Sequence, residues 1–244
     1  MNEFRLEKEC SIQLMYYNAE ANLLDIRDVD LTFSMVTSAY SNDPVDLAEA
    51  QLKQNISFAK ASSFVERCLH GSIIFDNVIS TIGLTLENNL ITVPDVTENT
   101  FVASLICKLN SIVDEDTTIH SIKMFDKYDK LKYTYKIEEK DTEYPLPKQT
   151  EWLGEYPYWE TPWWYRDDIT TYDKGATTEE EYTGWQKERK DGNVDKENRI
   201  WFEEIEKEVI KLYKEMKNEQ ETTSPKKGEV ISIDFGNKNK QDNT

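Results

Sequence analysis

The residue types that most often carry acid–base or metal chemistry are rare in this chain of 244 residues. There are two histidines, His70 and His120, and three cysteines, Cys10, Cys68 and Cys107. Histidine is the side chain that titrates near neutral pH, and zinc sites combine several His or Cys ligands at short spacings. The two histidines and the widely separated cysteines have no such spacing. We therefore expect no catalytic residue, no metal site and no cofactor.

Structural roles account for these residues. His70 stands beside Gly71 at the end of a predicted helix, where it can cap the helix and interact with the helix dipole. His120 opens a predicted strand, which is typical of a packed or edge histidine. Each cysteine lies among apolar residues, so we expect three buried free thiols in a reducing compartment.

Neighbouring carboxylates are the other candidates for chemistry. Asp167 and Asp168 end the stretch EYPYWETPWWYRDD (155–168), and three glutamates occur in TTEEEY (177–182). Carboxylate pairs can transfer protons or bind metal ions when rigid elements hold them apart. Both pairs lie where no helix or strand period is visible. We interpret the three glutamates as a solvated charge run and expect no catalytic or metal site at either group.

The same stretch concentrates aromatic side chains among acids, and all six tryptophans lie beyond residue 150. Trp and Tyr provide large, rigid contact areas with a polar tip. We predict that the residues that bind a protein partner here are Trp163, Trp164, Tyr165, Asp167 and Asp168. The tryptophans that we expect to be structural are Trp152, Trp159 and Trp201. The alternative, that the rings fold back on the open face of the chain's own sheet, stays open.

A second apolar motif lies near the C-terminus. Ile231, Ile233 and Phe235 alternate in EVISIDFG, with Lys226 and Lys227 before them. Period two predicts an extended segment, the form in which a peptide adds to the edge of a partner's sheet. We predict that these three residues bind a partner. Closure of the edge of the chain's own sheet is an equal alternative.

The overall charge limits the class of partner. The chain has 47 acidic and 29 basic residues, a formal net charge of −18. This field repels phosphate, so we expect no direct binding of duplex nucleic acid and favour a protein partner with a basic patch. We see no signal peptide and no membrane-spanning stretch, and expect a cytoplasmic protein. The scarcity of Gly and the frequency of Lys, Asn, Ile and Glu are typical of an AT-rich genome, such as those of many phages and low-GC bacteria.

The elements that must position these residues differ between the two halves of the chain. Strict alternation predicts strands in CSIQLMY (10–16) and DVDLTFSM (28–35). Asp43 and Pro44 predict the start of a helix that runs to about His70. A hairpin at 82–93, a helix opened by the capping-box pair Asp95 and Glu98, and two closing strands follow. Residues 1–143 therefore form an α+β domain, with two helices packed on a small antiparallel sheet in ββααββ order.

The second half contains three segments. Residues 144–194 have no sustained period and predict an irregular segment rich in Trp, Tyr and acids. The apolar spacing in residues 195–217 predicts an amphipathic helix. The polar composition of residues 218–244 predicts a disordered tail that contains the short apolar motif. The apolar stripe of the helix consists of Trp201, Ile205, Val209, Leu212 and Met216.

The element order of the first half resembles the tunnelling fold of 6-pyruvoyl- and 6-carboxy-tetrahydropterin synthases. The resemblance lies in TENTFVASLICKLNSI (97–112), IHSIKMFD (119–126) and YTY (133–135). In that family a Thr-Glu-Asn type helix start precedes a strand with a glutamate that anchors the pterin. Thr97, Glu98 and Asn99 match the helix start, and Asp126 stands near the anchor. The family's three zinc histidines have no counterpart, so the resemblance implies that its activity is lost or replaced.

Our leading hypothesis is a non-enzymatic cytoplasmic interaction factor of phage origin. It would bind a host or viral protein through its acidic aromatic surface. The first alternative is a pterin- or purine-binding protein or enzyme on a tunnelling-like fold. The second is a virion or assembly component with a wrapping arm. Assembly into a homo-oligomer is compatible with each hypothesis.

Overall fold

The computed structural model of the protein describes residues 2–18, 20–76, 90–137, 146, 158–159, 161–171, 173, 175–176, 178–191 and 193–223. The strands are β1 (Asn2–Asn18), β2 (Leu23–Ala39), β3 (Ser72–Asp76), β4 (Leu90–Val93), β5 (Thr117–Asp126), β6 (Lys132–Lys136), β7 (Tyr158–Trp159) and β8 (Gly175–Ala176). The α-helices are α1 (Pro44–Phe64), α2 (Glu98–Ile112), α3 (Glu179–Asp191) and α4 (Asn193–Thr223). Short turns of π-helix at Val65–Leu69 and of 3-10 helix at Trp163–Tyr165 complete the described elements.

A six-stranded sheet in the order β4-β3-β1-β2-β5-β6 forms the centre of the fold. The strands β1, β2, β5 and β6 are antiparallel, while β3 runs parallel to both β1 and β4. The predicted α+β class is confirmed, and the observed element order is ββαββαββ rather than ββααββ. The purely antiparallel sheet is corrected, because β3 and β4 lie between the two helices in sequence and extend the sheet beside β1. Strands β7 and β8 form a separate pair.

The long hairpin of β1 and β2 extends beyond the predicted strands at both ends. The two strands pair continuously from Asn2 and Ala39 to Asn18 and Leu23. Alternation continues before Cys10, since Phe4 and Leu6 are half-buried while their neighbours are exposed. Lys8 occupies an inward position in this series, which interrupts the apolar pattern in the sequence. The period-two pattern therefore predicts a shorter strand than the one that forms.

The two central helices cover one face of the sheet. Asp43 caps α1 by accepting a hydrogen bond from the Val45 amide at 2.8 Å, and Pro44 is the first helical residue, as predicted. The cap of α2 differs from the prediction. Thr97, not Asp95, accepts the hydrogen bond of the Thr100 amide through its hydroxyl oxygen, at 3.3 Å.

The second half is more regular than its sequence indicates. Helix α3 lies inside the predicted irregular segment 144–194, which corrects that prediction. Three consecutive glutamates occupy the first turn of α3, where acids interact favourably with the helix dipole. Helix α4 begins and ends beyond the predicted bounds 195–217. Residues 82–89 of the predicted hairpin and the tail beyond Thr223 lie outside the described residues.

Removal of the α2 cap tests this assignment. Replacement of Thr97 by Ala leaves the Thr100 amide without its partner, so the free energy of unfolding falls by about 1 kcal/mol. Asp95→Ala is the matched control and has a much smaller effect. Urea denaturation of the two variants measures the difference, and an equal loss in both would contradict the assignment of Thr97 as the cap.

Candidate functional site

The aromatic segment folds onto its own domain. We call residues 161–171 and 173 the clamp. Trp163 and Trp164 are 0% exposed and belong to the same core cluster as the apolar residues of the sheet and of α2. Their rings meet edge to face, with centroids 5.9 Å apart, and Trp163 Nε1 donates a hydrogen bond to the Thr92 carbonyl at 2.6 Å. Both tryptophans are therefore core residues, and the prediction that they are exposed anchors for a partner is corrected.

The physical reason for this burial is the environment of α2. Ten of its fifteen residues are buried, so the helix needs cover on the side that faces away from the sheet. The clamp contacts α2 and also borders β4, the edge strand of the sheet, through a hydrogen bond from the Thr92 amide to the Thr171 carbonyl at 3.3 Å. The two indole rings thus supply the apolar cover that a third helix would otherwise provide.

Hydrogen bonds from α2 hold the clamp by its backbone. The Arg166 carbonyl accepts one bond from Lys108 Nζ at 2.7 Å and another from Ser111 Oγ at 2.5 Å. Lys108 is fully buried in the middle of α2, and its ammonium also lies 5.9 Å from the centre of the Phe64 ring. A lysine inside the apolar run of SLICKLNSI was the only sequence signal for this contact.

The side chains of the clamp balance that buried charge. Arg166 Nη1 donates to Asp173 Oδ1 at 2.6 Å, and Arg166 Nε lies 3.5 Å from Asp168 Oδ2. Lys108 Nζ lies 3.7 Å from the other oxygen of Asp168. Two cations and two carboxylates therefore neutralise one another, which buried ions require. Asp168 is an internal ion-pair residue, and its prediction as a contact for a partner is corrected.

Two predicted contact residues remain on the surface. Tyr165 is 45% exposed and Asp167 is also exposed, so their prediction as contact residues stands. Trp201 is half-buried against the core, in agreement with its predicted structural role. Trp152, the side chain of Trp159 and the motif residues Ile231, Ile233 and Phe235 lie outside the described residues.

A second polar cluster surrounds Arg27, which the sequence analysis did not single out. Its guanidinium lies 2.8 Å from Asp126, 2.6 Å from Asp129, 3.4 Å from Glu98 and 2.6 Å from Asp25. Strands β2 and β5 and the start of α2 bring these groups together. Four carboxylates around one guanidinium leave an excess of negative charge at this end of the sheet.

Asp126 is the carboxylate that the family resemblance places near the ligand anchor. Its side chain is 1% exposed and is paired with Arg27. Burial by itself raises the pKa of Asp126, but hydrogen bonds from Arg27 and from the amides of Asp129 and Tyr128 outweigh it, so the pKa lies below its ordinary value. Asp126 is therefore an anion in the folded protein at neutral pH.

Tyr16 adjoins this cluster and has an unusual hydroxyl group. The side chain is 7% exposed, the Tyr16 hydroxyl has no hydrogen-bond partner among the described residues, and Arg27 lies 5.8 Å from the ring centre. Burial, and then the charge of Glu98, raise the pKa of Tyr16 above its ordinary value. A buried hydroxyl without a partner is costly, and such groups call for a physical explanation.

An apolar surface lies at the closed end of the β1–β2 hairpin. We call Met15, Tyr17, Leu23, Leu24 and Ile26 the hairpin tip. Met15 pairs with Ile26 and Tyr17 with Leu24, all on the sheet face opposite the helices. Leu23, Leu24 and Ile26 are 63%, 43% and 57% exposed. Strand β5 pairs with β2 only from Val29 onward, so the tip lies beyond the end of β5.

The cysteines and His70 have the structural placements that the sequence predicts, whereas His120 is neither packed nor on an edge strand, since β5 lies between β2 and β6. The three cysteines are buried free thiols, and burial raises the pKa of Cys10 and Cys68 to about 11. Such thiols are protonated at neutral pH and react slowly. His70 follows the π-turn as its capping residue, and its Nδ1 accepts a hydrogen bond from the Gln13 amide at 3.3 Å. His120 is exposed on β5.

Within the described part of the chain, no group of three or more His, Cys, Asp or Glu residues could hold a metal ion. None of the described helices is both long and apolar enough to cross a membrane.

Truncation of a clamp tryptophan tests whether the clamp is part of the core. Trp163→Ala removes a fully buried ring and a hydrogen bond, so the free energy of unfolding falls by about 3–5 kcal/mol. Tyr165→Ala, next along the chain but largely exposed, costs about 1 kcal/mol or less. Urea denaturation compares the two variants. An unchanged midpoint for Trp163→Ala would show that the ring is not part of the core.

Comparison with protein-family models and with curated proteins finds no match. Among solved structures, an uncharacterized protein from Wolinella succinogenes aligns with a TM-score of 0.37 and 10% identity over 57% of this chain and 100% of that chain. The 6-pyruvoyl tetrahydropterin synthase of Caenorhabditis elegans aligns with a TM-score of 0.33 and 10% identity over 57% of this chain and 98% of that chain. The second of these structures belongs to the family that the sequence resembles, and the alignment assigns no role to any residue of this chain.

Proposed function

We propose that the protein is a non-enzymatic interaction factor that binds a protein partner through its hairpin tip. The observation that carries this proposal is the exposure of Leu24 and Ile26 on one face at the end of the hairpin, with Leu23 exposed on the other face at the same end. Exposed apolar groups that cluster together mark interaction sites more often than isolated ones do. This surface replaces the one expected from the sequence, because Trp163 and Trp164 are used inside the domain.

The charges beside the tip favour a basic partner. Asp25 and Asp129 are partly exposed next to Arg27, and Asp28 is exposed at the following position of β2. The chain as a whole carries a formal charge of −18. An apolar patch bordered by acids fits a surface with an apolar centre and Lys or Arg at its rim, since complementary charges accelerate and orient association. If the gene belongs to a phage, the partner is a host or viral protein.

A small-molecule site is the second candidate, and Tyr16 favours it. The partnerless hydroxyl beside Glu98, Arg27 and Asp126 is suited to a ligand that offers hydrogen-bond donors, such as the amino group of a pterin or purine. The pairing of Asp126 with Arg27 counts against this candidate, because a neutral ring system would have to displace a strong ion pair.

Paired substitutions at the tip test the leading proposal. The double substitution Leu24→Ser/Ile26→Ser removes the apolar contacts. We expect the amount of partner captured from native cell extract to fall about 30-fold, which corresponds to a loss of about 2 kcal/mol in binding free energy. Quantitative mass spectrometry of the captured proteins measures the loss. Both side chains are exposed, so the melting temperature changes little.

The matched control is Leu212→Ser with Met216→Ser, which removes two apolar side chains of α4 that are 52% and 60% exposed. This variant retains the partner if the tip is the binding surface. Equal capture by the wild-type protein and the tip variant would overturn the proposal.

Thermal-shift measurements with pterins, purine nucleotides and divalent metals test the second candidate. A ligand that binds the Tyr16 cluster raises the melting temperature by mass action, and Tyr16→Phe reduces that rise because the ligand loses its hydroxyl contact. Without any ligand, Tyr16→Phe is neutral or stabilising, since it removes a buried hydroxyl that has no partner. A panel without any shift would exclude these ligand classes.

A further inference from the structure

Strand β2 runs past the end of β5 at the hairpin tip. Its pairing with β5 begins at Val29, whereas β2 itself begins at Leu23. Among the residues that the structure describes, no strand pairs with β2 before Val29 on the side away from β1. We call residues 23–26 the β2 edge. Pairing with β1 continues along all of these residues, so the β2 edge is a formed strand that is open on one side.

The main-chain groups of two residues point outward from the β2 edge. The Asp28 carbonyl accepts a hydrogen bond from the Lys127 amide at 3.0 Å, so the main-chain groups of Asp28 point away from β1. Alternate residues of an antiparallel strand direct their N–H and C=O groups to the same side, so those of Ile26 and Leu24 also point away from β1. They are therefore available to a further strand, and exposed edges of this kind template association with other chains.

The two faces beside the β2 edge differ in chemistry. Leu24 and Ile26 are 43% and 57% exposed on the face opposite the helices. On the helix face, the carboxylates of Asp25 and Asp129 lie 2.6 Å from the guanidinium of Arg27 and are partly exposed. A strand added here therefore meets apolar side chains on one face and an excess of negative charge on the other.

The turn between β5 and β6 borders the open side. Tyr128 and Leu131 of this turn are 80% and 51% exposed. Asp129 lies between them in sequence, and its ion pair with Arg27 holds the turn beside the β2 edge. The exposed apolar surface of the hairpin tip thus has a counterpart on the second element that borders the open side.

Charge argues against a second copy of this chain as the added strand. Its own edge would bring Asp25 and Asp28 towards the carboxylates that are already present, and its Arg27 is already paired with acids. Each chain also carries a formal charge of −18. Complementarity therefore requires a partner segment that supplies cations.

We propose that the partner bound at the hairpin tip adds an extended segment to the β2 edge, in which apolar residues alternate with Lys or Arg. This inference rests on the proposed function and names the form of its partner. The main chain of the segment bonds to Leu24 and Ile26, and its apolar side chains pack on the same two residues. Successive side chains of a strand point to opposite faces, so the intervening cations reach Asp25 and Asp129.

A synthetic peptide of alternating valine and lysine tests this inference on the full-length protein. We expect it to bind and to slow the exchange of the Leu24 and Ile26 amides about tenfold or more in NMR, while the amides of α2 are unchanged. The matched control is a block peptide with the same residues, in which all valines precede all lysines. It carries the same charge but cannot present one residue type to each face, so we expect it to bind at least about tenfold more weakly.

Methylation of peptide amides separates strand addition from simple contact. In an added strand, alternate amides face β2 and the others face solvent. In an antiparallel addition the valines lie opposite Leu24 and Ile26, so methylation of the valine amides weakens binding about tenfold or more and methylation of the lysine amides does not. A parallel addition reverses the two results.

Four outcomes would overturn the inference: no binding of the alternating peptide, equal binding of the block peptide, equal loss from both methylated peptides, or a second copy on the edge. The last would appear as protection of Leu24 and Ile26 in the protein alone, with a dimer in sedimentation that dissociates on dilution. The proposed function is judged separately, because Leu24→Ser/Ile26→Ser loses the captured partner whether or not that partner adds as a strand. Loss of capture without peptide binding would remove this inference alone.

Discussion

The carbonyl group of Arg166 is the point at which two distant parts of the chain are joined. It accepts hydrogen bonds from Lys108 and Ser111 of α2, and the lysine brings a full charge into the core. That charge is tolerated because the carboxylates of Asp168 and Asp173 lie in the same buried region and balance the charges of Lys108 and Arg166. The position of the two indole rings, the cover of α2 and the protection of the β4 edge all depend on this contact.

The same arrangement answers why a polar segment contains so many aromatic rings. A helix that is buried nearly all round needs apolar cover, and a segment without regular structure has few side chains with which to provide it. Trp163 and Trp164 bury a large area from only two positions, while the clamp carbonyls of Arg166 and Thr171 accept hydrogen bonds from α2 and β4. These two tryptophans are thus buried inside the domain, and the exposed apolar surface lies elsewhere, on the hairpin.

The sequence predicts elements with a strong local signal. The alternation in β2 and the Asp43-Pro44 start of α1 were found because one residue type repeats at one period or occupies one cap position. Because Lys8 points inward, the first half of β1 was not predicted. Thr97 rather than Asp95 caps α2 because the hydroxyl oxygen, not the carboxylate, reaches the Thr100 amide. The Arg27 cluster and the contact of Lys108 with Arg166 were missed since they join residues about 60 to 100 positions apart. The periodicity of a sequence carries no information about contacts between such distant residues, which come together only when the sheet has formed.

The placement of the clamp has a consequence for how the molecule is made. During synthesis the central sheet and both of its helices leave the ribosome well before Trp163 does, so α2 spends that interval with its outer side uncovered. Contacts of such long sequence separation form late and slow folding, and the exposed apolar helix is a site where chaperones or other nascent chains can bind. The clamp can therefore close over α2 only after the chain has been synthesised as far as Asp173.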